Sequence, residues 1–145
     1  MLSRKPVPRK DKLTKVHFPI ENGKTESLWA SGIRPGHFRI DNNPFYAYGV
    51  SAGDVVQATA DESGILRFVR VVARSGNRTI RILFDRKVKS RTRRQILDRL
   101  RVLGCDFEIA KETLVSVCIP PLVDLELIES YLDAQDDVSW EDADK

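Results

Sequence analysis

The strongest constraint on the fold is the spacing of the apolar residues, which changes near the middle of the chain. In "KVHFPI", Val16, Phe18 and Ile20 alternate with other residues, and alternate residues of a strand share one face. Further short runs, "TESLWAS", "HFRIDNN", "DVVQATA" and "LRFVRVVAR", also read as strands. The alternation breaks near Val71, as at a β-bulge or a barrel corner. Residues 13–74 are therefore predicted to form a strongly bent antiparallel β-sheet or partial barrel.

The second half of the chain has a different pattern. "RTIRILF" predicts a strand, and "SRTRRQILDRLRVLG" predicts a helix with Ser90 as N-cap and Gly104 at C′. A hairpin, "CDFEIAKETLVSVCIP", precedes a second helix that begins at the Asp124 cap, and "VSWED" follows as an edge strand. This order predicts a split-βαβ (ferredoxin-like) unit over residues 77–142. The expected class is α+β, with the N-terminal sheet packed on this unit.

Composition and local polarity favour a soluble intracellular chain. Hydrophobic residues make up 41% and charged residues 31%, as in a globular protein. No apolar run is long enough to span a bilayer, and "MLSRKPVPRKDK" lacks the apolar segment of a signal peptide. We therefore expect a cytoplasmic location, no membrane partner, and a flexible basic arm over residues 1–12.

The residue types that carry catalysis or bind metals are sparse. Cys105 and Cys118 lie in apolar runs, which favours two core thiols over the alternative of a disulfide between strands. His17 and His37 form no metal-ligand spacing with them and no triad pattern, and no phosphate loop or nucleophile elbow is present. We expect no metal, no cofactor and no enzymatic activity, with an enzyme that uses His17 or His37 as general base as the alternative. The run Ser75-Gly76-Asn77 predicts a plain turn, with an anion-binding backbone as the alternative.

Charge is segregated along the chain. Residues 1–12 carry five basic residues against one acidic, and residues 86–101 carry eight against Asp98 alone. Such clusters neutralise phosphates without reading sequence, which predicts a nucleic-acid-binding module as one function. Its candidate residues are Arg91, Arg93, Arg94, Lys5, Arg9 and Lys10. A solvated helix end is the plainer interpretation, because no aromatic RNA-binding motif accompanies the cluster.

The C-terminal end is acidic, with nine carboxylates against Lys145 over residues 124–145. Such a surface can imitate a phosphate backbone and dock on a basic cleft. The leading hypothesis is therefore a non-catalytic binding protein, of the immunity or inhibitor type, that engages a basic protein partner such as a nuclease toxin domain. Trp140 has a second possible role in closing the sandwich. The candidate residues are Tyr131, Asp133, Asp136, Asp137, Trp140, Glu141 and Asp142.

The run "DNNPFYAYGVSAGDVV", Asp41–Val56, carries three aromatic residues between two predicted strands. A structural role is favoured, in which Asn43 and Pro44 form a turn and Phe45 fills the interior. Gly53 then supplies permissive backbone, and Asp54 accepts hydrogen bonds from turn amides. Tyr46 and Tyr48 occupy alternate positions and share one face, so they are candidates for a contact surface.

Several motifs together resemble a family of short bacterial proteins, domain of unknown function 4265. They are "LWA" (Leu28–Ala30), "RIDNNPFYAYGVSAGDVV" (Arg39–Val56), "RSGNRTIRI" (Arg74–Ile82), "LGCDFE" (Leu103–Glu108) and "VCIPPLVDL" (Val117–Leu125). The resemblance spans nearly all of the chain after residue 12 and implies an architecture without implying an activity. Its motif residues, expected to be structural, are Asn43, Pro44, Phe45, Gly53, Asp54, Ser75 and Gly76.

Overall fold

The computed structural model of the chain describes residues 13–144. The predicted basic arm, residues 1–12 with Lys5, Arg9 and Lys10, lies outside the described residues. Within them, two β-sheets and two helices are formed, which confirms the α+β class.

The first five strands close into a barrel. They are β1 (Leu13–Pro19), β2 (Thr25–Arg34), β3 (His37–Ile40), β4 (Val55–Ala60) and β5 (Leu66–Ala73), and each pairs antiparallel with the next. The fifth strand of such a meander runs in the direction of the first, so the closing pair is parallel, with Val16 opposite Leu66. The predicted bent sheet or partial barrel is thus a closed barrel.

The barrel interior contains the apolar faces that the alternation predicted. Val16 and Phe18 are buried, and in β2 it is Leu28 rather than Trp29 that points inward. The pairing of β4 with β5 shifts register twice, and the residues that the shifts pass over, Val69 and Val72, are exposed. The predicted break near Val71 is therefore confirmed as a bulged segment that bends the sheet.

The remaining strands form a second antiparallel sheet covered by two helices. Its elements are β6 (Arg78–Phe84), α1 (Ser90–Val102), β7 (Asp106–Lys111), β8 (Leu114–Ile119), α2 (Leu125–Asp133) and β9 (Val138–Asp142). The strand order is β7-β8-β6-β9, which places β9 at an edge as expected. Neither helix in residues 13–144 has the length and hydropathy that crossing a membrane requires.

One face of this sheet makes the second core, and the opposite face is left for polar residues. Ile80, Ile82 and Phe84 of β6 are buried together with residues of both helices. Those helix residues are Ile96, Leu97 and Leu100 of α1 and Ile128 and Leu132 of α2. Because strand residues alternate, Thr79 and Arg81 of β6 lie on the other face, towards the barrel.

The helix ends agree with the sequence in two cases and differ in one. The Asp124 carboxylate accepts a hydrogen bond from the Glu126 amide, as an N-cap does, and Gly104 follows α1 with a φ of 102°. Ser90 is not the N-cap of α1. Lys89 holds the extended cap position, and the Ser90 hydroxyl instead accepts a hydrogen bond from Arg93 Nη2 at 2.9 Å.

The two cysteines are buried and free, as the apolar context predicted. Burial disfavours the thiolate and raises the pKa of Cys105 to about 11 and the pKa of Cys118 to about 11, from a usual value of 9.0. Each thiol therefore holds its proton more tightly in the folded chain than in the unfolded one.

This difference predicts a loss of stability at high pH. Below pH 9.0 both states keep the thiol protons, and between 9.0 and about 11 only the unfolded chain releases them, so the free energy of unfolding falls with rising pH. Urea unfolding over this range should show the fall, and the Cys105→Ala/Cys118→Ala double variant should show a smaller one. Equal slopes for the two proteins would contradict the assignment.

Candidate binding site at the aromatic loop

The segment between β3 and β4, residues 41–54, is here called the aromatic loop. Its base is closed by backbone hydrogen bonds from Ile40 N to Asp54 O and from Gly53 N to Ile40 O, at 2.9 and 2.7 Å. The buried Asp54 carboxylate accepts hydrogen bonds from the amides of Ser51 and Ser75 at 2.9 and 2.8 Å. This confirms the predicted role of Asp54 as an acceptor for turn amides.

Four polar side chains form a row across the second sheet, beneath the loop. Strand register places one residue of each strand directly beside the next. We call this set the polar row: Glu108 of β7, Ser116 of β8, Arg81 of β6 and Glu141 of β9. Because they lie on the face opposite the helices, these side chains meet the barrel rather than the second core.

The first half of the polar row fixes the start of the loop. The Asn43 amide donates to Glu108 Oε2 at 2.6 Å, and Ser116 Oγ donates to the Pro44 carbonyl at 2.7 Å. Asn43 and Pro44 are themselves buried. The predicted turn residues are therefore held by the sheet of the other unit.

The second half of the row is built around Arg81, whose side chain is only 2% exposed. Its Nε pairs with Glu141 Oε1 at 2.9 Å, and its Nη1 donates to the Ala47 carbonyl at 2.7 Å. The guanidinium carbon lies 4.4 Å from the ring centroid of Tyr48, whose hydroxyl donates to Glu141 Oε2 at 2.8 Å. A buried cation is tolerated when its charge and its N–H groups are matched in this way.

A carboxylate from the barrel holds the loop from its other side. Glu26 of β2 accepts hydrogen bonds from three successive amides, those of Phe45, Tyr46 and Ala47, at 2.8, 3.1 and 2.8 Å. Because these are charge-assisted bonds to backbone, they fix the path of the chain rather than one side chain. The backbone that carries the two tyrosines is thus anchored from both sheets.

The end of the described chain joins the two units a second time. Asp144 accepts hydrogen bonds from Ser51 Oγ, Arg78 Nε and the Thr79 amide at 2.9, 2.7 and 3.1 Å. The hydrogen bond that Arg78 donates to Asp144 raises the pKa of the Arg78 guanidinium. The Ala143 carbonyl accepts from the Gly49 amide at 2.8 Å. Part of the acidic C-terminal end therefore has a structural role.

A small pocket opens beside the aromatic loop. Its volume is about 130 Å³, and it is lined by Ile20, Glu21, Phe45, Tyr46, Tyr48, Arg81 and Glu141. Tyr46 and Tyr48 are 50% and 49% exposed, so the two rings face solvent. The pocket thus combines aromatic surface with two carboxylates, and the buried Arg81 contributes to its wall.

The predicted acidic face is largely engaged within the molecule. Glu141 pairs with Arg81, and Asp142 lies 3.2 Å from Arg78. Asp137 is paired with Lys87 at 3.2 Å, which raises the pKa of that lysine.

The remaining predicted partner residues divide between the surface and the core. Asp133 accepts a hydrogen bond from Trp140 Nε1 at 2.7 Å, and Asp136 is exposed. Tyr131 and Trp140 are half-buried and pack against the core between the second sheet and its helices. Trp140 thus has the second role considered for it, closing this layer of sheet and helices. Of this predicted set, only Glu141 lines the pocket beside the aromatic loop.

The basic helix start divides in a similar way. Arg91 and Arg94 are exposed. The Arg93 side chain is 13% exposed and donates to the Val88 carbonyl and to Ser90 Oγ at 2.6 and 2.9 Å. Arg93 thus secures the start of α1, while its two neighbours remain available to a partner.

The family-motif residues have structural contacts, with one correction. Phe45 does not fill the barrel interior, because its amide is drawn to Glu26 and its half-buried ring lines the pocket. Ala47 and Val50 occupy the interior instead. Gly53 has a φ of 87°, and a Cβ there would lie 2.9 Å from Ser75 Cβ. Gly76 has a φ of 92°, and its Cβ would lie 2.8 Å from a proline carbon.

The backbone amides of Ser75 and Asn77, in the turn at residues 75–77, already have acceptors within the protein. The Ser75 amide donates to Asp54 and the Asn77 amide donates to Ser75 Oγ at 3.1 Å. This supports the plain turn over the anion-binding alternative. Across residues 13–144, no group of three His, Cys, Asp or Glu side chains is arranged to hold a metal ion.

Sequence reasoning missed four residues of the site, Glu26, Glu108, Ser116 and Arg81. A signal was present for the last two. Ser116 is a polar residue inside the otherwise apolar run "LVSVCI", and Arg81 stands between Ile80 and Ile82 in "RTIRILF". Attention to the face opposite Ile80 and Ile82 would have marked that side of the sheet as a polar contact surface.

The chain is an α+β protein in which a closed barrel is joined to a helix-covered antiparallel sheet through the polar row. Residues 26–143 match the family described as Domain of unknown function (DUF4265), and the chain belongs to this family. It is also similar to a solved hypothetical protein from Neisseria gonorrhoeae, with a TM-score of 0.75 and 20% sequence identity. That similarity covers 89% of this chain and 91% of the other, and it concerns the fold. No curated protein matches the chain.

The anchoring by Glu26 yields a stability prediction. Glu26→Gln keeps the shape of the side chain but replaces one acceptor oxygen with an N–H donor that faces backbone amides. The free energy of unfolding should fall by about 2–4 kcal/mol. Urea denaturation measures the fall, with Glu62→Gln in an exposed turn as the matched control. Equal stability of the two variants would show that the three amide contacts do not hold the loop.

Proposed function

We propose that this protein is a non-catalytic binding protein, of the inhibitor or immunity type, whose interface is centred on the aromatic loop. The observation that carries the proposal is the exposure of Tyr46 and Tyr48, each about half accessible, on backbone that is anchored from two sheets. The part of each ring that stays in water adds nothing to the apolar burial that stabilises the fold. Their contribution is available to a partner that covers them.

The anchoring matters because ordering a loop is one of the costs of association. Glu26 holds the amides of Tyr46 and its neighbours, and Arg81 holds the Ala47 carbonyl. A partner therefore meets a loop whose backbone is already ordered. Tyrosine is also among the residues that dominate the binding energy of interfaces.

Charge supports a basic partner. The pocket lining contributes Glu21 and Glu141 against Arg81, a net charge of −1. Complementary charge raises association rates and selects against acidic partners. A basic cleft, such as that of a nuclease toxin domain, has the required chemistry.

Two further assignments accompany this proposal. The order of elements and the strand order β7-β8-β6-β9 support a split-βαβ (ferredoxin-like) unit over residues 77–142. The two free buried thiols support a cytoplasmic location, where thiols stay reduced.

The test uses the intact protein as bait in an extract of the native host. A partner should be retained at low salt and lost at high salt, and Tyr46→Ala should reduce its retention about 10-fold or more. Trp29→Ala is the matched control, because Trp29 is 43% exposed on the barrel. Retention that is equal on wild type and Tyr46→Ala would refute an interface at the loop.

Nucleic-acid binding by α1 is the second candidate, supported by the exposure of Arg91 and Arg94 on a helix whose one acidic residue is Asp98. Arg91→Glu/Arg94→Glu should weaken binding to an oligonucleotide and reduce the slope of log affinity against log salt by about 2. The control, Arg34→Glu/Arg39→Glu, makes the same charge change on the barrel. An unchanged slope in the α1 variant would end this candidate.

A further inference from the structure

The pocket beside the aromatic loop has the size of a side-chain end rather than of a metabolite. Its volume of about 130 Å³ is well below the roughly 300–1,000 Å³ typical of small-molecule sites. Its walls are nevertheless formed by three aromatic rings and ionisable groups, so it is not a simple apolar gap. A single projecting residue of a partner fits a depression of this kind.

The chemistry of the walls favours a cation. Tyr46 presents an exposed ring, and an aromatic face attracts a cation through its quadrupole. Glu21 lies on the rim in the short 3-10 turn Glu21–Gly23 and is exposed. Glu141 is 46% exposed although it already contacts Arg81 and Tyr48. Both carboxylates therefore remain open to a donor from outside.

Arg81 does not reverse this preference. Its guanidinium is directed inward to Glu141 Oε1 and to the carbonyls of Ala47 and Tyr46, at 2.9, 2.7 and 3.4 Å. It also lies against the Tyr48 ring, which leaves the neighbouring Tyr46 ring for an incoming group. The contact of Arg81 with Tyr48 is an internal example of a guanidinium held against a tyrosine ring and paired with a carboxylate.

We propose that the pocket lined by Tyr46, Glu21 and Glu141 receives an arginine side chain of the protein partner. A guanidinium is planar, so it stacks flat on a tyrosine ring while its edge donates to a carboxylate, whereas an ammonium is a compact point charge with no face to stack. The proposal rests on the proposed function, because it names the residue type through which the partner is engaged.

The experiment is an NMR titration of the ¹⁵N-labelled protein with N-acetyl-arginine amide. The matched ligand is N-acetyl-citrulline amide, which has nearly the same shape without the charge. Arginine should give saturable shifts at the amides of the aromatic loop, and citrulline should give none. Equal responses to the two ligands, or no saturable response to arginine, would overturn the proposal.

Two variants link the response to the pocket. Tyr46→Ala and Glu21→Gln should each raise the dissociation constant for the arginine ligand about threefold to tenfold. Trp29→Ala removes another exposed ring and Glu62→Gln removes another exposed carboxylate elsewhere on the barrel, and both should leave it unchanged. Unaltered affinity in both pocket variants would refute the assignment even if arginine binds.

The titration and the capture experiment fail separately. A partner that is retained through Tyr46, together with an absent arginine response, would keep the proposed function and refute the arginine pocket. A saturable arginine response that depends on Tyr46 and Glu21 would support the pocket even where no partner is retained.

Discussion

A guanidinium ion removed from water must receive a counter-ion and hydrogen-bond acceptors from the fold, and Arg81 receives them from two parts of the chain. Glu141 comes from the neighbouring strand, and the Ala47 carbonyl comes from a loop of the barrel. The Arg81 side chain is 2% exposed in the folded chain. If the two units separated, its guanidinium would become exposed and would lose the Ala47 carbonyl as an acceptor. The docking of barrel on sheet and the burial of Arg81 therefore depend on each other.

The same constraint determines what the aromatic loop presents. Its polar backbone is turned towards Glu26 and the polar row, so its small apolar residues, Ala47 and Val50, enter the barrel interior. The bulkier Tyr46 and Tyr48 are left at the surface on either side of Ala47. The loop therefore combines a backbone held by hydrogen bonds with exposed aromatic side chains. A backbone that is already ordered lowers the entropic cost of binding.

Acidic residues near the C-terminus illustrate how a charge pattern can have two origins. Asp142 and Asp144 pair with Arg78, and Glu141 pairs with Arg81. These ion pairs join β9 and the residues after it to the neighbouring strand β6. Part of the acidic charge at the C-terminal end therefore stabilises the sheet. Asp136 and part of Glu141 are exposed to solvent instead.

The local sequence pattern was sufficient to predict the strands and helices, but it was insufficient to predict the contacts of the candidate site. Alternation identified the strands through Val16 and Phe18, and the side chain of Asp124 marked the start of α2. The break near Val71 even located a bulge. Phe45 was assigned to the interior wrongly, because nothing in its neighbours reveals that Glu26, nineteen positions earlier, holds its amide.

Periodicity, caps and local motifs predicted the α+β class, the two sheet-forming parts of the chain and the family. The closure of the barrel and the alignment of the polar row became visible only in the folded chain. The tertiary structure also decided which rings of the aromatic loop face water. Strand register and inter-unit hydrogen bonds join residues up to 94 positions apart, Gly49 and Ala143 being the most distant pair, and local propensity carries no information about such pairs.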